Sequence, residues 1–126
     1  MNSFVLAVSI GLAGAIGAVA RYLVMRFITK RSHSQIPLGT LFINVLGAFL
    51  IGLLFSLTTQ KVTTPLQQSI LATGFLGGFT TFSTMNWEGA QLARGGNISQ
   101  SFLYLGGSFV LGLGAVMLGI TLGRTF

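Results

Sequence analysis

Residues 73–84 read TGFLGGFTTFST, and this stretch decides the fold. It places three glycines and five hydroxyl side chains inside a long uncharged segment. Glycine costs about 1 kcal/mol in a helix interior, and threonine is also a weak helix former. Irregular backbone at membrane depth is tolerated only where protein buries it or water reaches it. Two alternatives follow: a broken helix whose free carbonyls and amides could bind an ion, or a continuous helix packed closely through Gly74 and Gly78.

The composition of the whole chain is that of a membrane protein. Of 126 residues, 52% are hydrophobic and 6% are charged, against about 25% charged in soluble domains, and the mean hydropathy is +0.83. Four uncharged stretches can each supply the ~20 residues that cross a bilayer, and none alternates like a membrane β-strand. We predict a single all-α domain, residues 1–126, with four transmembrane helices at about 3–25, 37–58, 66–90 and 98–123.

The same composition excludes several function classes. The chain has no cysteine, one histidine and one acidic residue, which leaves almost no groups for acid–base catalysis or for a side-chain metal site. We therefore predict that it is not an enzyme. The net charge of +6 comes from scattered cations that flank the apolar stretches, so we predict no nucleic-acid partner. A small proton-coupled multidrug transporter would need a carboxylate in the first span, which has none.

The cations give a mild signal for orientation. The side that carries the first and third connections holds Arg26, Lys30, Arg31 and Arg94, whereas the other side holds Lys61 and Arg124. The positive-inside rule predicts, by this small excess, that the first side is cytoplasmic and that both termini are outside. Small residues that recur every four positions predict close helix packing. They are Ala7, Gly11 and Ala15 in the first span, and Gly119 and Gly123 in the fourth.

Polar side chains in the other spans lie in pairs four residues apart. Thr40 and Asn44 form one pair in the second span, and Tyr104 and Ser108 form another in the fourth. An asparagine in the bilayer either makes an interhelical hydrogen bond or marks a polar pathway. Thr40 and Asn44, with the hydroxyls of residues 73–84, could line a narrow track of hydrogen-bond donors without an acidic group. Such a track suits a small anion better than a cation.

The strings GTLFIN at 39–44 and GFLGGFTTFST at 74–84, the latter followed by Glu88, resemble the CrcB/Fluc fluoride channels. The resemblance extends over the whole chain and includes Arg21 in the first span. It implies a fluoride-selective channel that exports fluoride passively, confers fluoride resistance and lies in the bacterial plasma (inner) membrane as a multi-pass protein. It also implies an antiparallel, dual-topology dimer in which a second subunit of the family completes the pores and the third helix of each subunit is broken.

The resemblance implies a set of site residues as well. Asn44 matches the pore asparagine, Phe82 the first of two phenylalanines that face the ion, and Ser83 a pore-side hydroxyl. Tyr104 and Ser108 match the start of a polar track on the fourth helix. A sodium ion at the dimer centre would be held by backbone carbonyls of Gly77 and Thr80, so we predict the break between these two residues. The roles of Arg21, Asn86 and Glu88 stay open.

The chain departs from the family pattern at four pore positions. Met85 stands where a second phenylalanine is expected, Asn86 where a serine is usual, and Gly112 and Val116 where hydroxyls are frequent. These departures leave an alternative function open: a specialised partner subunit of a heterodimeric fluoride channel with one impaired pore. The small excess of cations on one side also favours this alternative, because a dual-topology homodimer needs an almost neutral bias.

Overall fold

The computed structural model describes residues 2–126, which form helices and contain no strand. In chain order they are α1 (Ser3–Arg31), α2 (Leu38–Thr59), α3 (Pro65–Gln68), a π-helical segment (Ser69–Leu76), α4 (Gly77–Phe79), α5 (Phe82–Arg94) and α6 (Ile98–Gly123). Within that range, three helices are long and apolar enough to cross a membrane, namely α1, α2 and α6, with window hydropathies of 2.1, 2.3 and 1.9. The all-helical membrane fold is therefore confirmed.

The third segment is helical in two halves. The helical path from α3 through the π-helical segment to α4 stops at Phe79, and α5 begins at Phe82. Between them the backbone is extended, with ψ of 157° at Thr80 and φ of −150° with ψ of 110° at Thr81. Of the two alternatives that the sequence left open, the broken helix is the one observed. Because each half is short, neither half alone has the length of a spanning helix.

The break lies later than the sequence predicted. Gly77 is still helical, with φ of −60° and ψ of −38°, and so is Gly78. A Cβ at Gly78 would overlap the carbonyl oxygen of Gly14 on α1, so this glycine serves close packing rather than unwinding. The backbone changes course at Thr80 and Thr81, where two β-branched residues in succession favour extended structure.

Side-chain caps fix several helix starts. The Asn2 carboxamide oxygen accepts from the Val5 amide at 2.8 Å and begins α1. At the start of α3, Thr64 and Gln67 exchange side-chain bonds to each other's backbone amides at 3.1 and 3.0 Å. Such reciprocal capping satisfies amides that have no partner within the helix, which matters most at helix ends close to lipid.

Glycines let α1 approach the first half of the third segment backbone to backbone. A Cβ at Gly17 would overlap the Phe75 carbonyl oxygen, and one at Gly74 would come within 2.8 Å of the Ala13 Cβ. The predicted stripe of Ala7, Gly11 and Ala15 is wrong for this contact, because all three residues are exposed. The helix packs instead through the face that carries Gly14 and Gly17, which lies against the third segment.

The second close pair is α2 with α6. A Cβ at Gly52 would overlap the Val116 carbonyl, and one at Gly119 would overlap the Phe49 carbonyl. A Cβ at Gly123 would meet the Ser56 side chain. The side-chain amide of Gln60, Nε2, donates to the Gly123 carbonyl at 2.6 Å. The predicted packing role of the Gly119–Gly123 pair is confirmed. With α1 packed on the third segment and α2 packed on α6, the break at Thr80 and Thr81 lies against α2 at Asn44 and Gly47.

We expect Gly17→Ala to destabilise the fold by about 1–3 kcal/mol, because the added methyl group meets backbone that cannot yield. Gly11→Ala is the matched control on the same helix, since no described atom lies within 4 Å of its Cβ position. It should leave stability unchanged or raise it by up to about 1 kcal/mol through helix propensity. Unfolding in a titration of sodium dodecyl sulfate, followed by circular dichroism, measures both. Equal stability of the two variants would contradict the packing assignment.

Candidate functional site

The break is bound by one side chain of α2. The Asn44 amide nitrogen, Nδ2, donates to the Thr81 carbonyl at 2.9 Å, and its Oδ1 accepts from the Thr81 amide at 3.0 Å. The carboxamide thus replaces both helical partners that the Thr81 peptide groups lose at the break. Buried backbone groups without partners are costly, so this pair of hydrogen bonds is what makes extended backbone possible here.

Hydroxyl groups complete the two ends of the break. The Thr80 hydroxyl donates to the Leu76 carbonyl at 2.9 Å, and the Thr80 amide donates to the same oxygen at 2.9 Å. The Thr81 hydroxyl accepts from the Thr84 amide at 3.3 Å and caps α5. Because the Thr81 amide is bound to Asn44, it does not serve the Gly77 carbonyl, its partner in an unbroken helix. The Gly77 carbonyl therefore does not receive the hydrogen bond that an unbroken helix would give it.

A groove of about 420 Å³ opens beside the break. Asn44, Met85 and Ser108 line it together with Phe82, whose side chain is 71% exposed. Phe82 and Met85 share one face of α5, since they are three residues apart. The second hydrogen of Asn44 Nδ2 points at the Met85 sulfur, and the nitrogen and sulfur atoms are 3.9 Å apart. Gly112 and Val116, two of the departures from the family pattern, also line the groove, so Ser108 is the one of these three α6 residues that brings a hydroxyl to it.

A second cavity of about 250 Å³ lies under the α1–α2 connection. Hydroxyl and amide side chains supply much of its lining, and Thr40 and Glu88 lie at its wall. The polar lining residues are Thr29, Ser32, Ser34, Gln35, Thr40 and Glu88. This cavity and the groove both border a small buried region between α2, α5 and α6.

A row of buried hydroxyls crosses that region. Thr40, Tyr104 and Ser108 are 0%, 2% and 7% exposed. The Tyr104 hydroxyl donates to Glu88 Oε1 over a long 3.4 Å. Thr40 Oγ1 neighbours the Tyr104 phenol without a hydrogen bond of good geometry, and within residues 2–126 neither Thr40 Oγ1 nor Ser108 Oγ has a partner. Thr40 lines the cavity under the α1–α2 connection and Ser108 lines the groove, so the row has one end at each.

The structure brings together some of the predicted site residues and separates others. Asn44, Phe82, Met85 and Ser108 meet at the groove, whereas Thr40 and Glu88 line the other cavity and Tyr104 is bound to Glu88. Ser83 and Asn86 are exposed and line neither cavity. Arg21 lines a separate cleft of about 660 Å³ with Arg26 and Lys30.

Two residues of the site were missed from the sequence. Thr81 was one of five hydroxyl residues with nothing to single it out, although a residue at a helix break must find partners for its backbone. Gly47 was also missed, yet a Cβ there would overlap the Thr80 methyl group. Its signal was its place one turn after Asn44 on the same helix face.

Side-chain chemistry limits what ion could bind near the break. Across the described chain, no three His, Cys, Asp or Glu residues come together as a metal site. A cation at this position would therefore have backbone carbonyls as ligands. Hard cations without redox chemistry accept such oxygen ligands, and the carbonyls of Gly77, at the start of α4, and of Thr80, at the break, are of that donor type.

Comparison with known proteins gives a consistent family. The family model described as "CrcB-like protein, Camphor Resistance (CrcB)" matches residues 8–120, a range that includes every site residue named above. Three similar proteins are each named "Fluoride-specific ion channel FluC". The one from Acidobacterium capsulatum is 42% identical over 116 residues, which cover 91% of this chain and 93% of the relative. The one from a Hydrogenobaculum species is 46% identical over 119 residues, covering 94% and 95%. The one from Campylobacter jejuni is 48% identical over 88 residues, covering 70% and 72%.

Proposed function

The chain belongs to the family of CrcB-like proteins, and from this premise we propose that it is a fluoride-specific ion channel, which lets fluoride leave the cell passively and protects the cell from fluoride toxicity. The family is one of ion channels, which confirms the prediction that the chain is not an enzyme. Its spanning helices make it a multi-pass membrane protein. We propose the bacterial plasma (inner) membrane as its location.

The observation that carries this proposal is the row of buried hydroxyls between two cavities. A buried hydroxyl without a partner costs about 1–3 kcal/mol, and most buried polar groups in proteins are paired. Thr40 and Ser108 are both unpaired in the described chain, and each lines one of the two cavities at which the row ends. Their free hydroxyls are donors that a passing ligand can use.

The chemistry of the row suits fluoride. This small anion is strongly hydrated, so a pore must replace the water with other donors. Hydroxyl and amide groups do so without a fixed charge that would trap the ion, and hydrogen bonds to a charged partner are worth about 1.5–3 kcal/mol each. At the groove, the second hydrogen of Asn44 Nδ2 and the electropositive ring edge of Phe82 add two further contacts for an anion.

We propose that the working channel is an antiparallel, dual-topology dimer. The groove is open on one side, and Phe82 and Ser83, both assigned to the pore by resemblance, are exposed in a single chain. A second copy packed on this face would close the groove and bring these side chains to an enclosed pore. Dual topology makes the partner antiparallel, so that one sequence supplies both walls.

We further propose a structural sodium ion at the dimer centre. The carbonyls of Gly77 and Thr80 would hold it, joined by the same groups of the second copy. When bound, the ion supplies a fixed positive charge close to the anion pathways. The chain's own contribution is to release the Gly77 carbonyl, through the bond between the Thr81 amide and Asn44, and to hold Thr80 in extended backbone. No contact within residues 2–126 favours the heterodimer alternative, which stays a sequence-based hypothesis.

Purified protein in liposomes tests the function directly. With potassium fluoride inside and an ionophore to carry potassium, we expect rapid fluoride release at a fluoride electrode. The same vesicles loaded with chloride should release it no faster than protein-free vesicles. Equal release of the two anions would contradict a fluoride-specific channel, and release of neither would contradict a channel formed by this chain alone.

We expect Thr40→Val to lower fluoride efflux by at least about tenfold, because the dehydrated ion loses a hydrogen bond worth about 1.5–3 kcal/mol. The variant should be at least as stable as the wild type, since valine replaces an unpaired buried hydroxyl with a methyl group. Ser101→Ala is the control, for which we expect the opposite pair of effects on stability and efflux. Its hydroxyl is buried but donates to the Gly89 carbonyl at 2.7 Å, so it is not free to bind an ion. That variant should lose stability and keep its efflux. Wild-type efflux in Thr40→Val would remove the row from the pathway.

Met85→Phe tests whether the departure from the family pattern impairs the channel. For a homodimeric channel that tolerates methionine we expect efflux to change by no more than about threefold, because Phe82 already supplies an electropositive ring edge at the groove. Phe82→Ile should abolish most of the efflux, since it removes the ring that remains. A wild type that conducts poorly, together with strong conduction by Met85→Phe, would instead support the partner-subunit alternative.

A further inference from the structure

Two residues of α2, one turn apart, hold the two residues of the break. Asn44 binds both backbone groups of Thr81 at 2.9 and 3.0 Å. Gly47 lies directly against the side chain of Thr80, because a Cβ at Gly47 would overlap the Thr80 methyl carbon, Cγ2. The course of the extended backbone is thus set from α2 at two successive residues, and not by the third segment alone.

The contact at Gly47 is a socket for one methyl group. The only atoms that a Cβ at Gly47 would meet within 4 Å are Cγ2 and Cβ of Thr80. A methyl group at position 47 would therefore push on Thr80 and on no other residue outside α2. Gly52, on the same helix, differs in this respect, since the three atoms nearest to its Cβ position are all backbone atoms of Val116.

A push on the Thr80 side chain reaches the peptide unit that carries the Thr80 carbonyl. The Thr80 hydroxyl and amide are both bound to the Leu76 carbonyl, and the following residue is bound by Asn44. The peptide unit between Thr80 and Thr81 carries both the Thr80 carbonyl and the Thr81 amide that Asn44 binds, so a displacement of Thr80 turns this carbonyl against that one hydrogen bond. The orientation of that oxygen therefore depends on whether the methyl group sits in its socket.

We infer that Gly47 is a positioning residue for the cation site: its missing side chain seats the Thr80 methyl group and so aims the Thr80 carbonyl. This inference rests on the proposed function, which assigns that carbonyl to a sodium ion. Gly47 does not touch the ion. It acts through Thr80, and the affinity for sodium should respond to the fit between residues 47 and 80 rather than to either residue alone.

A double-mutant cycle tests this fit. The proteins are the wild type, Gly47→Ala, Thr80→Ser and the double variant, with Gly52→Ala as the control on the same helix. Thr80→Ser removes the methyl group but keeps the hydroxyl bond to Leu76. The readout is the thermal unfolding midpoint in detergent over a series of sodium concentrations, with N-methylglucamine replacing sodium. The sodium concentration for half of the stabilisation is compared, and fluoride efflux is measured in parallel.

We expect the wild-type midpoint to rise with sodium. Gly47→Ala should need about tenfold more sodium for half of the effect, and Thr80→Ser about threefold more, because the first overfills the socket and the second empties it. The double variant should return to within about twofold of the wild type, because the alanine methyl then occupies the space that the threonine methyl has left. Gly52→Ala should lower the midpoint at every sodium concentration without changing the half-effective concentration.

The outcomes separate the inference from the proposal beneath it. A wild type whose midpoint does not respond to sodium would overturn the sodium site and the inference with it. A sodium response that Gly47→Ala does not weaken would overturn the role of Gly47 alone. If Gly47→Ala fails to fold, Thr80→Ser and the double variant still decide: a double variant that binds sodium no better than Thr80→Ser overturns the fit between the two residues.

Discussion

Every peptide group in a membrane span needs a hydrogen-bond partner, and the rest of this structure depends on how the chain meets that demand at one place. Water is absent from the bilayer core, so an interrupted helix leaves polar groups that lipid cannot satisfy. Here one carboxamide, Asn44, takes both backbone groups of Thr81. Without such a partner, two extended residues in the span would lower the stability of the fold too much. Without the extended residues, the carbonyls of α4 would be bound by amides of a continuous helix.

The same demand for hydrogen-bond partners makes the unpaired hydroxyls of the buried row unusual. Elsewhere in the described chain the buried hydroxyls have partners: Ser56 accepts from the Gln60 side chain, Thr81 donates to the Thr84 hydroxyl and Ser101 donates to the Gly89 carbonyl. Thr40 and Ser108 are exceptions, and each lines one of the two cavities. An unpaired donor lowers stability but stays free to bind an ion that has lost its water. In the proposed pathway, stability and conduction therefore make opposite demands on the same two hydroxyls, and substitutions there should separate the two properties.

The sequence predicted the helical fold and much of the groove because these follow from local patterns. Charge-free stretches mark helices, and the four-residue spacing of Thr40 with Asn44 and of Tyr104 with Ser108 puts each pair on one helix face. The place of the break could not be predicted in this way. Glycine both weakens a helix and permits close packing, and only the neighbouring helix decides which applies: Gly78 packs against Gly14, so the break moves on to Thr80. The separation of Ser83 from the groove and the socket at Gly47 are likewise tertiary facts that no spacing within one helix contains.

Met85 shows how a departure from a family pattern can keep the chemistry of a site. Its sulfur lies 3.9 Å from the Asn44 amide nitrogen, whose other hydrogen bond goes to the Thr81 carbonyl. A carbonyl or carboxylate at this position would hold the second hydrogen firmly and take it away from an anion. A thioether is only a weak acceptor, so the hydrogen is held weakly while the side chain keeps this part of the groove apolar. In the proposed pathway, methionine thus gives up a ring edge but leaves the amide hydrogen available to an anion.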